Sequence, residues 1–112
     1  MLAPIIIFCF NRPDHLKRTI DALRNNPLAT NSSLFIFSDG PRNTLDQQKV
    51  EAVRRYLPTI KGFASVSIHE SSTNKGLAQS VIDGVTQVLT QFDRVIVLED
   101  DLITSSYFLT YM

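Results

Sequence analysis

Apolar residues along this chain follow two patterns, which are compact runs of strand length and longer stretches with helical spacing. The runs lie at residues 4–10, 34–37, 64–69 and 95–98, and the third of them alternates only loosely. Between the runs, apolar side chains recur at intervals of three and four residues, which predicts amphipathic helices. The helical stripes are Leu16-Ile20-Leu23, Val50-Val53-Leu57 and Leu77-Val81-Val85-Val88-Phe92.

Regular alternation of short strands and helices predicts an α/β fold with a Rossmann-like parallel sheet in three layers, helices covering both faces. Right-handed crossovers place the carboxyl ends of all the strands on one edge of that sheet. Asn11 with Pro13 predicts the start of the first helix, and Asn74 predicts the start of the third. We expect residues 1–112 to form a single domain.

Composition excludes several classes of binding partner and site for this chain. The chain has 11 Lys and Arg against 11 Asp and Glu, so its formal charge of zero argues against electrostatic binding of nucleic acid. The single cysteine, Cys9, excludes an internal disulfide and a multi-cysteine metal site and suits a reducing compartment. The apolar stretch at residues 2–10 is far shorter than the ~20 residues that span a bilayer, so we expect no transmembrane segment.

Polar residues follow each predicted strand and would therefore meet at the edge where open α/β sheets bind ligands. Glu99, Asp100 and Asp101 come directly after the fourth strand, and a divalent cation would relieve the repulsion between three adjacent carboxylates. A solvated acidic turn, or Asp101 capping a following helix, explains the same residues equally well. Asp39 is either a turn residue or a hydrogen-bond acceptor for a ligand.

Four segments, taken in order, resemble the N-terminal half of the GT-A glycosyltransferases, the nucleotide-diphospho-sugar transferase fold. The segments are PIIIFCFNRPDHLKRTIDAL, FIFSDG, NKGLAQSVIDGV and VIVLEDDLITSSYFLTYM. The last resembles the EDD form of the family's DxD motif, most like the N-acetylglucosaminyltransferase I group and its bacterial relatives. The resemblance implies the strand order 3-2-1-4 and a donor site shared among the strand ends.

The resemblance also implies a role for individual positions. Asp39 would face the uracil of a UDP-sugar, and Asp101 would ligate Mn²⁺ or Mg²⁺. The other implied nucleotide-sugar contacts are Phe10, Asn11, Arg12, Asn74, Lys75, Gly76, Ser80, Glu99 and Asp100.

The activity implied is metal-dependent transfer of a sugar from a UDP-sugar to a hydroxyl of a glycan or other acceptor. This chain would supply the donor-nucleotide half, with the catalytic base outside it, in the cytoplasm or at the inner face of the membrane. We expect the chain to be truncated within the helical pattern of residues 104–112, to be inactive alone and to self-associate through the exposed edge. The alternatives are a nucleotide- or sugar-binding module without turnover and a phosphoacceptor receiver domain. A receiver needs acids where this chain has Asn11 and Arg12.

Overall fold

The computed structural model describes residues 4–27, 29–92 and 95–99. The four strands are β1 (Ile5–Cys9), β2 (Ser33–Ser38), β3 (Ser65–Glu70) and β4 (Ile96–Glu99). The three helices are α1 (Pro13–Arg24), α2 (Thr44–Tyr56) and α3 (Leu77–Leu89). Single 3-10 turns at Ala29–Asn31 and Leu57–Thr59 precede β2 and β3.

The strands form one parallel sheet in the order β3-β2-β1-β4, which is the order that the resemblance implies. In this register Ile7 lies between Ile36 of β2 and Leu98 of β4. Phe37 of β2 pairs with His69 of β3. Because every strand runs the same way, the carboxyl ends of all four lie on one edge of the sheet.

Each face of the sheet has its own core, since successive strand residues point to opposite faces. On one face Ile5 and Ile7 pack with side chains of α1 and α2 such as Leu16 and Val53. On the other face Ile6 and Phe8 pack with α3, and Val88 of that helix is buried. The fold is therefore a Rossmann-like α/β arrangement with helices on both sides of the sheet. Cys9 is a buried free thiol within the first core.

Two of the expected helix caps are wrong. Helix α1 begins at Pro13 as predicted, but its N-cap residue is Arg12, and the Asn11 side chain donates through Nδ2 to Asp46. Helix α3 is capped by Gly76, whose φ of +82° lies in the region that favours glycine, and Asn74 bonds elsewhere. Helix α2 does have an asparagine cap, since the Asn43 side chain accepts a hydrogen bond from the Asp46 N–H.

No helix within the described part of the chain combines the length and the apolar character that crossing a membrane would require.

Candidate functional site

Three loops meet at the carboxyl edge of the sheet, and most of the predicted site residues lie on them. We call them loop 1 (residues 10–12, between β1 and α1), loop 2 (residues 39–43, between β2 and α2) and loop 3 (residues 71–76, between β3 and α3). The order β3-β2-β1 places loop 2 between the other two. Contacts between neighbouring loops therefore decide the shape of this edge.

Asp39 joins loop 2 to loop 3. The residue is buried, with 8% of its surface exposed, and each of its two carboxylate oxygens accepts two hydrogen bonds. One oxygen accepts from the backbone N–H groups of Gly40 at 2.8 Å and Lys75 at 2.9 Å. The other accepts from the Gly76 N–H at 3.0 Å and from Asn74 Nδ2 at 3.3 Å. Loop 3 is thus folded around one carboxylate of loop 2.

Gly40 brings the backbones of the same two loops into direct contact. A Cβ atom on Gly40 would lie 2.6 Å from the carbonyl carbon and oxygen of Thr73 and 2.9 Å from the carbonyl oxygen of Ser71. The Gly40 carbonyl also accepts a hydrogen bond from Asn74 Nδ2 at 2.9 Å. Only glycine allows so close an approach of backbone to backbone.

Arg54 of α2 also connects loop 2 with loop 3 by hydrogen bonds. Its Nη2 donates to the carbonyl oxygens of Ser71 at 2.7 Å and of Ser38 and Asp39 at 3.3 Å each. Its Nε donates to Ser38 Oγ at 3.1 Å. The planar guanidinium therefore satisfies carbonyl groups at the ends of two strands at once. Sequence reasoning missed Arg54, although a charged residue four positions after Val50 on the apolar stripe of α2 was a usable signal.

Asp46 of α2 joins loop 1 to loop 2. This buried carboxylate accepts from Asn11 Nδ2 at 2.9 Å and from Arg42 Nε at 2.8 Å. The hydrogen bond from Arg42 is the largest cause that lowers the pKa of Asp46 to about 2, and the Asn11 amide adds to it against the opposing effect of burial. The Arg42 guanidinium also lies 5.2 Å from the centre of the Phe10 ring.

A cavity of about 480 Å³ lies between loop 3, the ends of β2 and β3, and α3. Its aromatic wall includes Phe37 and His69, whose rings stack with centres 4.6 Å apart and planes 10° apart. Lys75 Nζ, on the loop 3 side, forms an ion pair at 3.1 Å with Asp83 on α3, and this hydrogen bond lowers the pKa of Asp83. The remaining polar lining is Ser38, Asp39, Glu70, Ser71, Ser72, Thr73, Ser80 and Gln87.

The structure brings together some of the predicted site residues and separates others. Asp39, Asn74, Lys75 and Gly76 form one hydrogen-bonded cluster, and Ser80 lines the adjoining cavity with Asp39 and Lys75.

Loop 1 carries Phe10, Asn11 and the exposed Arg12, and it contacts loop 2 and α2 rather than the cavity. The roles assigned to these residues by resemblance stay predictions. Sequence reasoning did not assign Phe37, His69, Asp83 or Gln87 to the site.

The predicted acidic cluster falls largely outside the described residues. Glu99 ends β4 and pairs with Phe8 of β1, whereas Asp100 and Asp101 lie beyond residue 99. Across residues 4–27, 29–92 and 95–99, no three His, Cys, Asp or Glu side chains lie close enough together to hold a metal ion. Asp101 as a metal ligand therefore stays a prediction.

No protein-family model matches the chain, and a search of curated proteins finds no match to it.

Proposed function

We propose that this chain binds the nucleotide of a UDP-sugar at the carboxyl edge of its sheet, as the donor half of a metal-dependent GT-A glycosyltransferase. The observation that carries the proposal is the cavity beside loop 3, which residues from β2, β3 and α3 line together. Open α/β sheets bind ligands at this edge, and Asp39, Lys75 and Ser80, which the resemblance selects, all line the cavity.

The size of the cavity and several of its lining groups suit a nucleoside diphosphate, whereas the carboxylates of Asp39, Glu70 and Asp83 would need a cation to offset their charge. Its volume of about 480 Å³ lies within the range of roughly 300–1,000 Å³ typical of small-molecule sites. The Lys75 ammonium, which pairs with Asp83 in this structure, would bind a phosphate by exchanging that carboxylate for it, and Ser80 supplies a hydroxyl that can donate or accept. The stacked Phe37 and His69 rings provide the apolar surface against which a base or ribose can pack.

In the transfer reaction an acceptor hydroxyl attacks the anomeric carbon and the nucleoside diphosphate leaves. A divalent cation, predicted to bind Asp101, would offset the charge of the departing diphosphate. The residues of this chain would bind and orient the donor, and the base that activates the acceptor would lie outside it. We include a cytoplasmic location in the proposal, which the buried free thiol of Cys9 supports.

A matched pair of lysine variants tests the nucleotide site. Lys75→Gln removes the ammonium group at the cavity, and we expect UDP affinity to fall about tenfold, as for one charged hydrogen bond. Lys61→Gln removes an exposed ammonium group from the segment before β3, at the opposite edge of the sheet, and should leave the affinity unchanged. Calorimetric titration of UDP into each variant measures both values. Equal affinities in the two variants would contradict the proposed site.

The same titrations with and without Mn²⁺ test the metal. UDP and Mn²⁺ should each raise the affinity of the other by one common factor. Asp101→Asn should abolish this coupling while UDP still binds in the absence of metal. Binding of UDP without release of sugar from a UDP-sugar is expected both of a donor half that lacks the base and of a binding module without turnover. Failure of UDP to bind at all would refute the proposal.

A further inference from the structure

We infer that Asp39 is a positioning residue that fixes loop 3 beside the nucleotide and does not itself contact the base; this inference rests on the proposed function. The resemblance implies a direct hydrogen bond from the uracil imide to this carboxylate. The structure gives the same carboxylate a different set of partners, all of them within the protein.

The acceptor capacity of Asp39 is already used. A carboxylate offers about four lone-pair sites, and those of Asp39 face Gly40 N–H, Lys75 N–H, Gly76 N–H and Asn74 Nδ2. A uracil imide could bond to it only by displacing one of these donors. The displaced donor would then lose a charge-assisted hydrogen bond in a part-buried place, which offsets much of the gain from the new one.

Gly40 and Arg54 also hold loop 3 in place, independently of the Asp39 carboxylate. The backbone of Thr73 lies so close to Gly40 that no side chain fits between them, and Arg54 binds the Ser71 carbonyl oxygen at 2.7 Å. Loop 3 is therefore held in place before any ligand arrives. Such preorganisation lowers the entropy that binding costs.

The consequence for binding follows from what loop 3 contributes to the cavity. The backbone N–H of Lys75 donates to Asp39. The Lys75 side chain lines the cavity together with Ser71 and Thr73. Loss of the Asp39 carboxylate would displace Lys75, Ser71 and Thr73 from the cavity wall. These residues would make the same contacts with every nucleoside diphosphate, whatever its base. We therefore expect Asp39→Asn to weaken different nucleotides by the same factor.

The experiment compares wild type, Asp39→Asn, Gly40→Ala and the control Asp14→Asn, an exposed carboxylate in the first turn of α1. Amide hydrogen exchange of Lys75 and Gly76 is measured in the free proteins. Calorimetry then gives the affinities for UDP, which has an imide N–H, and for CDP and ADP, which lack it. Gly40→Ala separates the same two loops by steric contact and leaves the carboxylate intact, so it serves as a second route to the same displacement.

We expect Asp39→Asn to speed exchange at Lys75 or Gly76 by about tenfold or more, with core amides such as that of Ile7 unchanged. Affinity for all three nucleotides should fall by one common factor of roughly 10–100, and Gly40→Ala should reproduce the uniform loss. Asp14→Asn should match wild type. A loss confined to UDP, with exchange unchanged, would overturn the positioning role. Absence of nucleotide binding in the wild-type chain would instead overturn the proposed function.

Discussion

Replacement of Arg54 by methionine tests whether the carboxyl edge of the sheet depends on one guanidinium. Methionine keeps an unbranched side chain but removes every hydrogen-bond donor. The strongest bond lost is that from Nη2 to the Ser71 carbonyl oxygen at 2.7 Å, and three longer bonds to Ser38 and Asp39 go with it. The variant therefore leaves carbonyl groups on two strand ends without this donor.

The expected loss in the free energy of unfolding follows from the lengths of these hydrogen bonds and the exposure of the side chain. A hydrogen bond that involves a charged group contributes about 1.5–3 kcal/mol, and bonds longer than 3 Å contribute less. The Arg54 side chain is 24% exposed, so water can replace part of what is lost. We therefore expect the free energy of unfolding to fall by about 2 kcal/mol. For a domain of this size that loss corresponds to a melting temperature lower by roughly 8 °C.

Urea denaturation followed by circular dichroism gives the free energy of unfolding directly. Arg55→Met is the matched control, because Arg55 is the next residue of the same helix and is exposed. Its removal should change the stability by less than about 0.5 kcal/mol. Arg54→Lys should lose nearly as much as Arg54→Met, because an ammonium group cannot reproduce the planar fork. Equal losses in Arg54→Met and Arg55→Met would refute the structural role of the guanidinium.

Two further variants test the contacts of Asp46 between loops 1 and 2 and the packing of α3 against Phe8. Asp46 has its pKa lowered from 3.8 to about 2, so its stabilising effect is complete above pH 3.8 and is lost as the pH falls towards 2. The urea midpoint of wild type should thus fall more steeply across this range than that of Asp46→Asn, and parallel profiles would contradict the assignment. Gly84→Ala would place a Cβ atom 2.7 Å from the Phe8 ring, so overpacking of about 1–3 kcal/mol should exceed the gain in helix propensity of about 1 kcal/mol. A melting temperature at or above that of wild type would show that the ring moves aside freely.

The architecture was predictable because its signals are local. An apolar run such as Ile5–Cys9 has strand length and is buried throughout, and apolar residues at helical spacing such as Leu16, Ile20 and Leu23 are buried in the core. Alternation of the two patterns implies parallel strands, since each crossover needs a helix to return the chain. The strand order was expected from the resemblance, and the sheet confirms it.

The contacts between loops were not predictable because their partners are distant in sequence. Asn11 lies 35 positions before Asp46, and Asn74 lies 35 positions after Asp39. At the level of local sequence, each asparagine precedes a helical pattern and is typical of a helix cap. In the structure the side-chain Nδ2 of each asparagine instead donates to a carboxylate distant in sequence, and neither side chain caps a helix. No local pattern encodes those distant acceptors.

These junctions divide the predicted site residues into two groups with different tasks. The carboxylate of Asp39 and the side-chain amides of Asn11 and Asn74 bond to other parts of the protein, so their contribution to a ligand would be indirect. The side chains of Lys75 and Ser80 line the cavity, where they could meet a ligand directly once the Lys75 ammonium exchanges Asp83 for it. A sequence motif treats all five positions alike, because it records only which residues are present. We therefore expect substitutions in the first group to change the order of the loops together with affinity, and substitutions in the second group to change affinity alone.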